Sequence, residues 1–499
     1  MRAYPKILRA RKRRIEQRLA GQMADRGTPV MAGRNIHYEV SAKTDGIGVG
    51  GIGAFHQLAQ RIGLVQGIDE RLHLLKVHLP YHESDHVLNP AYNILAGGMR
   101  LEDIELRRQD SAYLDALGAS RIPDPTTSGD FTRRFGEDDI GVLMDVINEA
   151  RRRVWSEKKG GLLKEALIDI DGTVARTLGE CKGGMEFNHT GVWGYHPLIV
   201  SLANTKEVLY LVNRPGNVVS HDGCAEWIDR AIELVKPYAQ RVTLRGDTDF
   251  SLTRQLDRWS ERVDFIFGMD ACAGLVERAN AVPEADWTVF ERPAKYTVKT
   301  EPRRKPLNVK EPIVVEREFK NVKLTSEWVT KIRYRPARCD KTYDLVILKK
   351  NLSVEKGEQV LFDDIRYFFY ITTRSDLTPA QVVGLANGRG DQENVIEQLK
   401  NGVNAMRMPM DDLLSNWAYM VIAALAWNLK AWFAMMMPDR KQGRVVLKME
   451  FRRFLNNFIR LPCQIIRQGR RIIYRLLSYN PWMSDFLETW EVIRRFSTA

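Results

Sequence analysis

Two aspartates stand at the ends of strand-like segments near the middle of the chain. Asp171 lies in EALIDIDGTV and Asp247 ends RVTLRGD, and short apolar runs with β-branched residues are typical of strands. If these strands are neighbours, both carboxylates lie at one edge of a sheet, where their like charges require a cation. Mg²⁺ prefers carboxylate oxygens and keeps positions open for water and phosphate. The alternative for either residue is an aspartate that caps the turn after its strand.

A third acid lies in GRGDQENVIEQLK, which reads as a helix. On an ideal helix, Arg389, Glu393 and Lys400 fall within about 40° of one another. One face therefore presents a carboxylate and two cations. The alternative is an ordinary i,i+4 ion pair between Arg389 and Glu393, which stabilises a helix by only a few tenths of a kcal/mol.

The segments that carry the first two acids follow an asymmetric order. Between residues 165 and 270 the pattern predicts β-β-β-α-β-α-β, with helices at CAEWIDRAIELVKPYAQ and SLTRQLDRWSE. This is the element order of the ribonuclease-H-like fold, and in a sheet of that order the strands of Asp171 and Asp247 are neighbours. The predicted fold class is therefore α/β, with a ribonuclease-H-like catalytic core.

Composition and periodicity divide the rest of the chain. Apolar residues at three- and four-residue spacing predict helices before the core and again at its end. A stretch rich in Val, Thr and Tyr predicts an antiparallel β insertion. The predicted regions are a basic N-terminal arm (1–36), a helical region (37–160), the first part of the core (161–270), the β insertion (271–376), the second part of the core with the Glu393 helix (377–435) and a basic C-terminal region (436–499).

The balance of charge points to a polyanionic partner. The 499 residues hold 75 Lys and Arg against 63 Asp and Glu, a net charge of +12, which suits nucleic acid or an anionic membrane. The most apolar stretch, residues 417–437, contains Asn428 and Lys430, so a buried core helix is favoured over a membrane span. The N-terminal MRAYPKILRARKRRIEQRLA lacks the apolar core of a secretory signal and reads as a phosphate-binding arm or a solvated tail. We expect a cytoplasmic protein.

Together the candidate residues resemble a known catalytic signature. Asp171 in Asp-x-Thr, Asp247 in Asp-x-x-Phe, and Arg389-x3-Glu393-x6-Lys400 are similar to the motifs of bacterial insertion-sequence DDE transposases, in the branch with a Tyr-Arg-Glu-Lys helix. YHESDHVLNPAYNILAGG, PDPTTSGDFTRRF, GYHPLIVSL and SNWAYMVIAALAWNL resemble further parts of such enzymes. The resemblance covers most of the chain after the basic arm, and it implies that the helical region 37–160 serves in DNA binding or dimerisation.

The resemblance implies cut-and-paste DNA transposition through a hairpin intermediate. Asp171, Asp247 and Glu393 would be the catalytic residues and would hold two Mg²⁺ ions, with Mn²⁺ as a substitute. Arg389 and Lys400 would contact DNA phosphates. The implied partners are the terminal inverted repeats, target DNA and a second copy of the chain, as a homodimer on DNA and without a membrane. The implied location is the bacterial cytoplasm, with action at the nucleoid.

Three further residues are candidates for DNA contacts. The resemblance implies that a flipped base stacks on an aromatic ring, a contact of roughly 1–3 kcal/mol. Trp287 and Trp328 in the β insertion are the candidates, and their alternative is a place in the hydrophobic core. Arg245, close to the second aspartate in LRGD, is the third candidate. The family's tyrosine has no counterpart, because Ala386 stands at its position.

Two other functions fit parts of the sequence. Asp169-Ile-Asp171-Gly-Thr173 matches the nucleophile motif of haloacid-dehalogenase-like phosphatases, with Asp169 as nucleophile and Asp171 as acid and base. That interpretation leaves the cations and the acid of the later helix unexplained. A domesticated, non-catalytic DNA-binding protein descended from a transposase is the other alternative, and the intact acidic triad argues against it.

Overall fold

The computed structural model of the chain describes residues 4–20, 36–41, 44–157, 163–177, 179, 181–188, 191–292, 313, 320–356 and 359–496. The α-helices in these ranges are α1 (Tyr4–Leu19), α2 (Ile52–Arg61), α3 (Leu64–Arg71), α4 (Glu83–Leu95), α5 (Ile104–Arg108), α6 (Ser111–Leu117), α7 (Pro125–Thr132), α8 (Glu137–Ser156), α9 (Cys224–Val235), α10 (Thr253–Ser260), α11 (Ala273–Asn280), α12 (Pro379–Asn387), α13 (Gly390–Glu397), α14 (Leu413–Met436), α15 (Arg440–Leu447), α16 (Phe451–Phe454) and α17 (Met483–Arg495). The β-strands are β1 (Gly46–Ile47), β2 (Leu163–Gly172), β3 (Ala175–Arg176), β4 (Glu186–Phe187), β5 (Trp193–Tyr195), β6 (Leu198–Leu202), β7 (Glu207–Val212), β8 (Ala239–Gly246), β9 (Asp264–Met269), β10 (Thr288–Val289), β11 (Lys320–Tyr334), β12 (Tyr343–Lys356), β13 (Gln359–Thr372), β14 (Cys463–Gln468) and β15 (Arg471–Leu476).

A nine-stranded mixed sheet runs through the described part of the chain, in the order β10-β11-β12-β13-β9-β8-β2-β6-β7. Strands β2, β6 and β7 are antiparallel neighbours, whereas β2, β8 and β9 are parallel. The predicted order of strands and helices is present, and the strands of Asp171 and Asp247 are neighbours, as predicted. Strands β6 and β7 are buried along their whole length, because both faces of the sheet are covered here.

Three short strands were not predicted from the pattern. β3, β4 and β5 lie between β2 and β6 in the chain and form a small sheet of their own, in the order β3-β5-β4. The Thr173 amide donates to the Pro197 carbonyl at 3.0 Å, and Ala175 pairs with Tyr195. The β2–β6 ladder therefore continues directly into the small sheet, beyond the strand end that carries Asp171.

The region predicted as a β insertion extends the central sheet. Its strands β11, β12 and β13 are long and antiparallel, and residues 369–372 of β13 pair with residues 266–269 of β9. An unpaired edge exposes amides and carbonyls, and β13 satisfies those of β9. The predicted boundary at residue 270 therefore falls inside one continuous sheet. Much of the predicted insertion, residues 293–312 and 314–319, lies outside the described residues.

The long apolar helix α14 lies in the core. Among the described residues it is the one helix long and apolar enough to cross a membrane, and its most apolar stretch is entirely buried in the protein. Asn428 exchanges two hydrogen bonds of 3.0 Å with the backbone of Val208 on β7. The Lys430 ammonium donates to the carbonyls of Leu447 and Met449 at 3.1 and 2.5 Å. Both polar residues find partners inside the protein, so the predicted core helix is confirmed.

A buried ion pair joins the helical region before the core to the sheet. The Glu207 carboxylate on β7 accepts hydrogen bonds from the Arg151 guanidinium of α8 at 3.0 Å, the Trp155 indole at 3.0 Å and the Trp432 indole of α14 at 2.7 Å. The side chains of Arg151 and Glu207 are completely buried. Because a buried charge without a partner is strongly destabilising, this network stabilises one arrangement of α8, β7 and α14.

The basic N-terminal arm contains a helix that contacts the C-terminal region. Leu8 of α1 packs against the hydrophobic core. The Arg11 guanidinium donates to the carbonyls of Leu476 and Ser478 at 3.2 and 2.8 Å. The hairpin formed by β14 and β15 is part of a three-stranded sheet with β1. The described part of the arm is therefore a docked helix rather than a solvated tail.

Candidate catalytic site

Asp171 and Asp247 stand at the same end of adjacent parallel strands. Asp171 is the penultimate residue of β2, and Asp247 directly follows β8. One Asp247 oxygen accepts a hydrogen bond from the Asp249 amide at 3.1 Å, so Asp247 also caps the turn after its strand. Asp247 can therefore cap the turn and also belong to the site, because its second oxygen lies near Arg389.

Arg389 joins the two aspartates. Its Nη1 donates to Asp171 Oδ2 at 2.8 Å, and its Nη2 lies 3.6 Å from Asp247 Oδ2. Within the described ranges, the ion pairs of Arg389 are with these two aspartates and not with Glu393. The local i,i+4 alternative is therefore absent there. The structure instead brings a residue just before α13 into contact with two strand ends.

The cluster of Asp171, Asp247 and Arg389 holds more negative than positive charge. Burial raises the pKa of Asp171 to about 6, the Arg389 guanidinium opposes this rise, and Asp247 adds to it. Burial also raises the pKa of Asp247, with Arg389 opposing and with Asp249 and Asp270 adding to the rise. Two partly buried carboxylates share one guanidinium, and hard oxygen ligands of this kind fit a divalent cation such as Mg²⁺.

Lys400 lies near the same cluster. Burial lowers the pKa of Lys400, and the negative charges of Glu397 and Asp171 oppose this change. Lys400 belongs to a π-helical turn, Gln398–Gly402, that follows α13. The segment predicted as one regular helix therefore changes its winding before Lys400. The lysine nevertheless lies close enough to Asp171 for their charges to interact.

Glu393 is not part of this cluster. Its side chain is exposed on α13, and in the portions of the chain that are described, no three His, Cys, Asp or Glu side chains lie close enough together to hold one metal ion. The structure thus brings together two of the three predicted metal ligands. The guanidinium of Arg389, rather than a third carboxylate, is their shared partner.

Gln392 anchors α13 to the sheet, and the sequence did not identify it. Its side-chain amide donates to the Ile199 carbonyl at 3.3 Å and accepts a hydrogen bond from the Ser201 hydroxyl, both on β6. Ile199 is the cross-strand neighbour of Asp171. Gln392 is buried, so it fixes the helix beside the first aspartate. The sequence signal for a buried Gln392 was its spacing from Val395 and Leu399, two apolar residues that lie on the same helical face.

Arg245 has a structural position beneath the site. Its Nε and Nη2 donate to the two Asp169 oxygens at 2.7 and 2.8 Å, and its Nη1 donates to the Leu385 carbonyl at 2.7 Å. The side chains of Arg245 and Asp169 are only 3% and 1% exposed. The predicted DNA contact of Arg245 is not supported, because its guanidinium is buried and links β8, β2 and the end of α12. The pair lies two residues before Asp171 and Asp247, on the same two strands.

Neither of the two tryptophans predicted to stack on a base has a fully exposed ring. Trp287 is only 9% exposed, and its ring lies 6.2 Å from that of Tyr367 and 5.6 Å from the Lys349 ammonium. Trp328 is half-buried, and its indole lies 3.3 Å from the Ser326 hydroxyl. The core alternative therefore describes Trp287, and Trp328 is only partly accessible.

An exposed aromatic pair lies elsewhere, in the small sheet that follows Asp171. Phe187 on β4 and Trp193 on β5 are 49% and 43% exposed, and their ring centroids are 3.8 Å apart. They are cross-strand neighbours. The sequence offered little signal for this pair, because two- and three-residue strands show no clear alternation.

A tyrosine from the sheet lies near Ala386, the position at which the resemblance implies a tyrosine. Ala386 on α12 and Tyr370 on β13 pack against the same small apolar cluster, which includes Val382 and Val383. Burial raises the pKa of Tyr370, and the charge of Arg389 is among those that oppose the rise. The Tyr370 ring therefore packs beside the Ala386 helix from the strand β13, which a local motif could not reveal.

Two comparisons with known proteins give matches that cover most of the chain. The family model described as Transposase DDE domain group 1 matches residues 35–498. A cryo-EM structure of the piggyBac transposase synaptic complex with hairpin DNA is similar at 11% identity, over 81% of each chain, with a TM-score of 0.35. No curated protein sequence matches it.

Proposed function

This chain belongs to the transposase family defined by the group 1 DDE domain, and we propose that it cuts the ends of a mobile DNA element and joins them to target DNA. The observation that carries the proposal is the convergence of Asp171 and Asp247 from neighbouring parallel strands onto Arg389. We also propose that it belongs to the bacterial branch with a Tyr-Arg-Glu-Lys helix. Arg389 and Lys400, both near Asp171, support this assignment.

Asp171, Asp247 and Glu393 are the proposed ligands of two Mg²⁺ ions, for which Mn²⁺ is a substitute. When bound, the metal supplies an activated oxygen nucleophile and stabilises the leaving 3′ oxygen. Asp171 and Asp247 are already adjacent. Glu393 is exposed on the helix that begins beside Arg389, so its ligation requires its side chain to turn from solvent towards the aspartates.

Arg389 has two successive partners in this proposal. A guanidinium binds phosphate oxygens through the same paired N–H groups that bind a carboxylate. Without metal, Arg389 pairs with both Asp171 and Asp247 and balances one of their two charges. When a cation neutralises the aspartates, the guanidinium is available for the DNA phosphate beside them. Lys400 provides a second positive charge for that phosphate.

The chemistry requires no covalent bond between DNA and protein. Water attacks the phosphodiester at the end of the element, and a 3′-OH leaves as the P–O bond breaks. This 3′-OH attacks the opposite strand, which forms a hairpin and releases the flanking DNA. A second water reopens the hairpin, and the 3′-OH then attacks target DNA. Each step exchanges one P–O bond for another, and joining two ends calls for two copies of the chain on DNA.

Exposed aromatic rings suit the hairpin step. A base that is turned out of the duplex is stabilised by stacking on an aromatic ring. Phe187 and Trp193 offer such a surface on the sheet that directly follows Asp171, whereas Trp287 is buried. We assign the stacking role to Phe187 and Trp193.

The phosphatase alternative conflicts with the position of Asp169. A nucleophilic aspartate must reach the phosphorus atom of its substrate. Asp169 is buried and both of its oxygens accept hydrogen bonds from Arg245. The residue therefore stabilises the sheet, and the phosphatase reaction would lack an accessible nucleophile.

An end-cleavage assay tests the proposed function. The substrate is DNA that carries the sequences flanking this coding region, incubated with the protein and Mg²⁺ or Mn²⁺. We expect nicks at the element ends with the parent protein and with Asp286→Asn, an exposed control, and none with Asp171→Asn or Asp247→Asn. A parent protein that retains the DNA but never nicks it with either metal is a non-catalytic binder, and the proposal is then wrong.

A further inference from the structure

Two short segments carry most of the net charge of the chain. Residues 4–19, which form α1, contain seven Lys and Arg against one Glu, and residues 463–478, which include the β14–β15 hairpin, contain four Arg and no acid. Together they supply ten of the twelve net positive charges of the protein. The charges of the remaining chain sum to +2.

These segments form one surface, although more than 440 residues separate them in the chain. Arg11 donates to the carbonyls of Leu476 and Ser478 at 3.2 and 2.8 Å, which fixes α1 to the end of the hairpin. Leu8, one turn earlier, packs against the core. The docked face of α1 is thereby defined by Leu8 and Arg11.

The basic face of α1 points away from the docked face. At 100° per residue, Lys6, Arg9 and Arg13 lie within about 60° of one another and about 100–160° from Leu8. All three are exposed. In the part of the chain that is described, none of the three has a carboxylate within ion-pair distance. Their charges are therefore available to an external partner.

The hairpin adds cations beside a groove. Its tip turns at Gly469, which has a φ of +57°, and this turn exposes Arg470 and Arg471. Both arginines line a groove of about 780 Å³ between the hairpin, α2 and α17, together with Trp490 and Arg494. The Arg494 charge is already paired with Glu491 at 2.9 Å, whereas Arg470 and Arg471 form no ion pair with any described residue.

We propose that α1 and the β14–β15 hairpin together form a second DNA-binding surface, which holds the backbone of duplex DNA outside the catalytic site. The proposal rests on the proposed function, because a protein that joins DNA ends must hold DNA away from the reacting phosphates. Helix α1 is about 24 Å long. This length matches about seven base pairs of duplex DNA, which carries two phosphate charges in each 3.4 Å.

The same geometry disfavours a membrane partner. A helix that lies on a membrane inserts its apolar face into the lipid and keeps its cations at the headgroups. On α1 this side is partly engaged by the protein, because Leu8 packs against the core and Arg11 is bound by two carbonyls, whereas Tyr4, Ile7, Ile15 and Leu19 are exposed. The basic face can reach a duplex without any change in this contact.

Salt-dependent DNA binding tests the surface. The full-length protein binds a labelled duplex in EDTA, so that no cleavage occurs, over a range of KCl concentrations. The variants are Lys6→Ala/Arg9→Ala/Arg13→Ala, Arg470→Ala/Arg471→Ala and their combination. Each lost phosphate contact lowers the slope of log Kd against log salt by about 0.9, so we expect decreases of about 2–3, about 2 and about 4–5.

The control removes three exposed cations from the opposite end of the sheet. Arg152, Lys164 and Lys236 lie at or before the starts of β2 and β8, away from Asp171 and Asp247, and their triple alanine variant should keep the parent slope. Thermal unfolding verifies that every variant is folded.

An unchanged slope in the combined variant overturns the proposal, as does a decrease confined to one segment. Lost binding to phosphatidylserine vesicles with an unchanged DNA slope would identify a membrane surface instead. If the parent protein nicks DNA in the end-cleavage assay but the combined variant keeps the parent salt slope, only the second DNA-binding surface is rejected. If the parent protein never nicks DNA, the proposed function is rejected.

Discussion

Two arginine–carboxylate clusters on the same sheet differ in how well their charges are satisfied. At Glu207, one carboxylate accepts hydrogen bonds from the Arg151 guanidinium, two indoles and a hydroxyl, and both charges are fully buried. At Asp171 and Asp247, two carboxylates share the single guanidinium of Arg389, and all three side chains remain partly exposed. The first cluster is complete, and the second lacks positive charge.

The difference separates a stabilising cluster from a binding cluster. Around Glu207 one positive charge matches one negative charge, and the hydrogen bonds to the carboxylate fix α8, β7 and α14 relative to one another. Around Asp171 the raised pKa shows that the carboxylate is poorly stabilised in its charged form. A site in this condition gains free energy from an added cation, which is what a metal-dependent enzyme requires.

The largest expected effect is the loss of stability in Glu207→Ala. This change leaves the Arg151 charge buried without its carboxylate, so we expect the free energy of unfolding to fall by about 3–5 kcal/mol. Urea denaturation measures it. The control is Glu149→Ala, which breaks an exposed pair with Arg71 and should cost at most about 1 kcal/mol.

If Glu207→Ala does not fold, Glu207→Gln keeps an acceptor for the indoles and should be the milder variant. A Glu207→Ala protein within about 1 kcal/mol of the parent contradicts the stabilising role of this cluster.

Part of this contrast could be predicted from the sequence. The apolar strands ending in Asp171 and Asp247 and the helices between them determine that the two strands are parallel neighbours, because the order β-β-β-α-β-α-β leaves few alternatives. Asn428 and Lys430 likewise indicated a buried helix rather than a membrane span. These features depend on local pattern and element order, which the sequence records directly.

Other features depend on contacts between distant segments. The pairing of Arg389 with Asp171 spans 218 positions, whereas the helix pattern indicated only its spacing from Glu393. Arg245 is buried where it donates to Asp169 and to the carbonyl of Leu385. It therefore stabilises the fold, although arginines more often contact solvent or DNA. Partners of this kind are chosen by tertiary packing, which residue type and spacing do not specify.

The next effect is smaller and has the opposite sign: Asp171→Asn should stabilise the metal-free protein at neutral pH. A carboxyl group whose folded-state pKa is raised from 3.8 to about 6 lowers stability as the pH rises through that interval. Relative to Asp171→Asn, the parent should lose about 2–3 kcal/mol between pH 4 and pH 7.

Urea denaturation in EDTA at the two pH values measures this difference. Asp286→Asn, an exposed substitution, is the control and should follow the parent at both. A constant stability difference between Asp171→Asn and the parent at the two pH values would show that the cluster imposes no charge penalty, and the contrast with Glu207 would then fail.

The most direct test of the central claim is the effect of metal on thermal stability without DNA. A ligand that binds the folded state raises its stability by RT ln(1 + [L]/Kd), about 2.7 kcal/mol at one hundred times Kd. We predict that Mn²⁺ or Mg²⁺ raises the melting temperature of the parent and of Asp286→Asn, and that neither metal raises that of Asp171→Asn/Asp247→Asn. An equal metal-dependent rise in the double variant would place the metal elsewhere and contradict the assignment of Asp171 and Asp247 as its ligands.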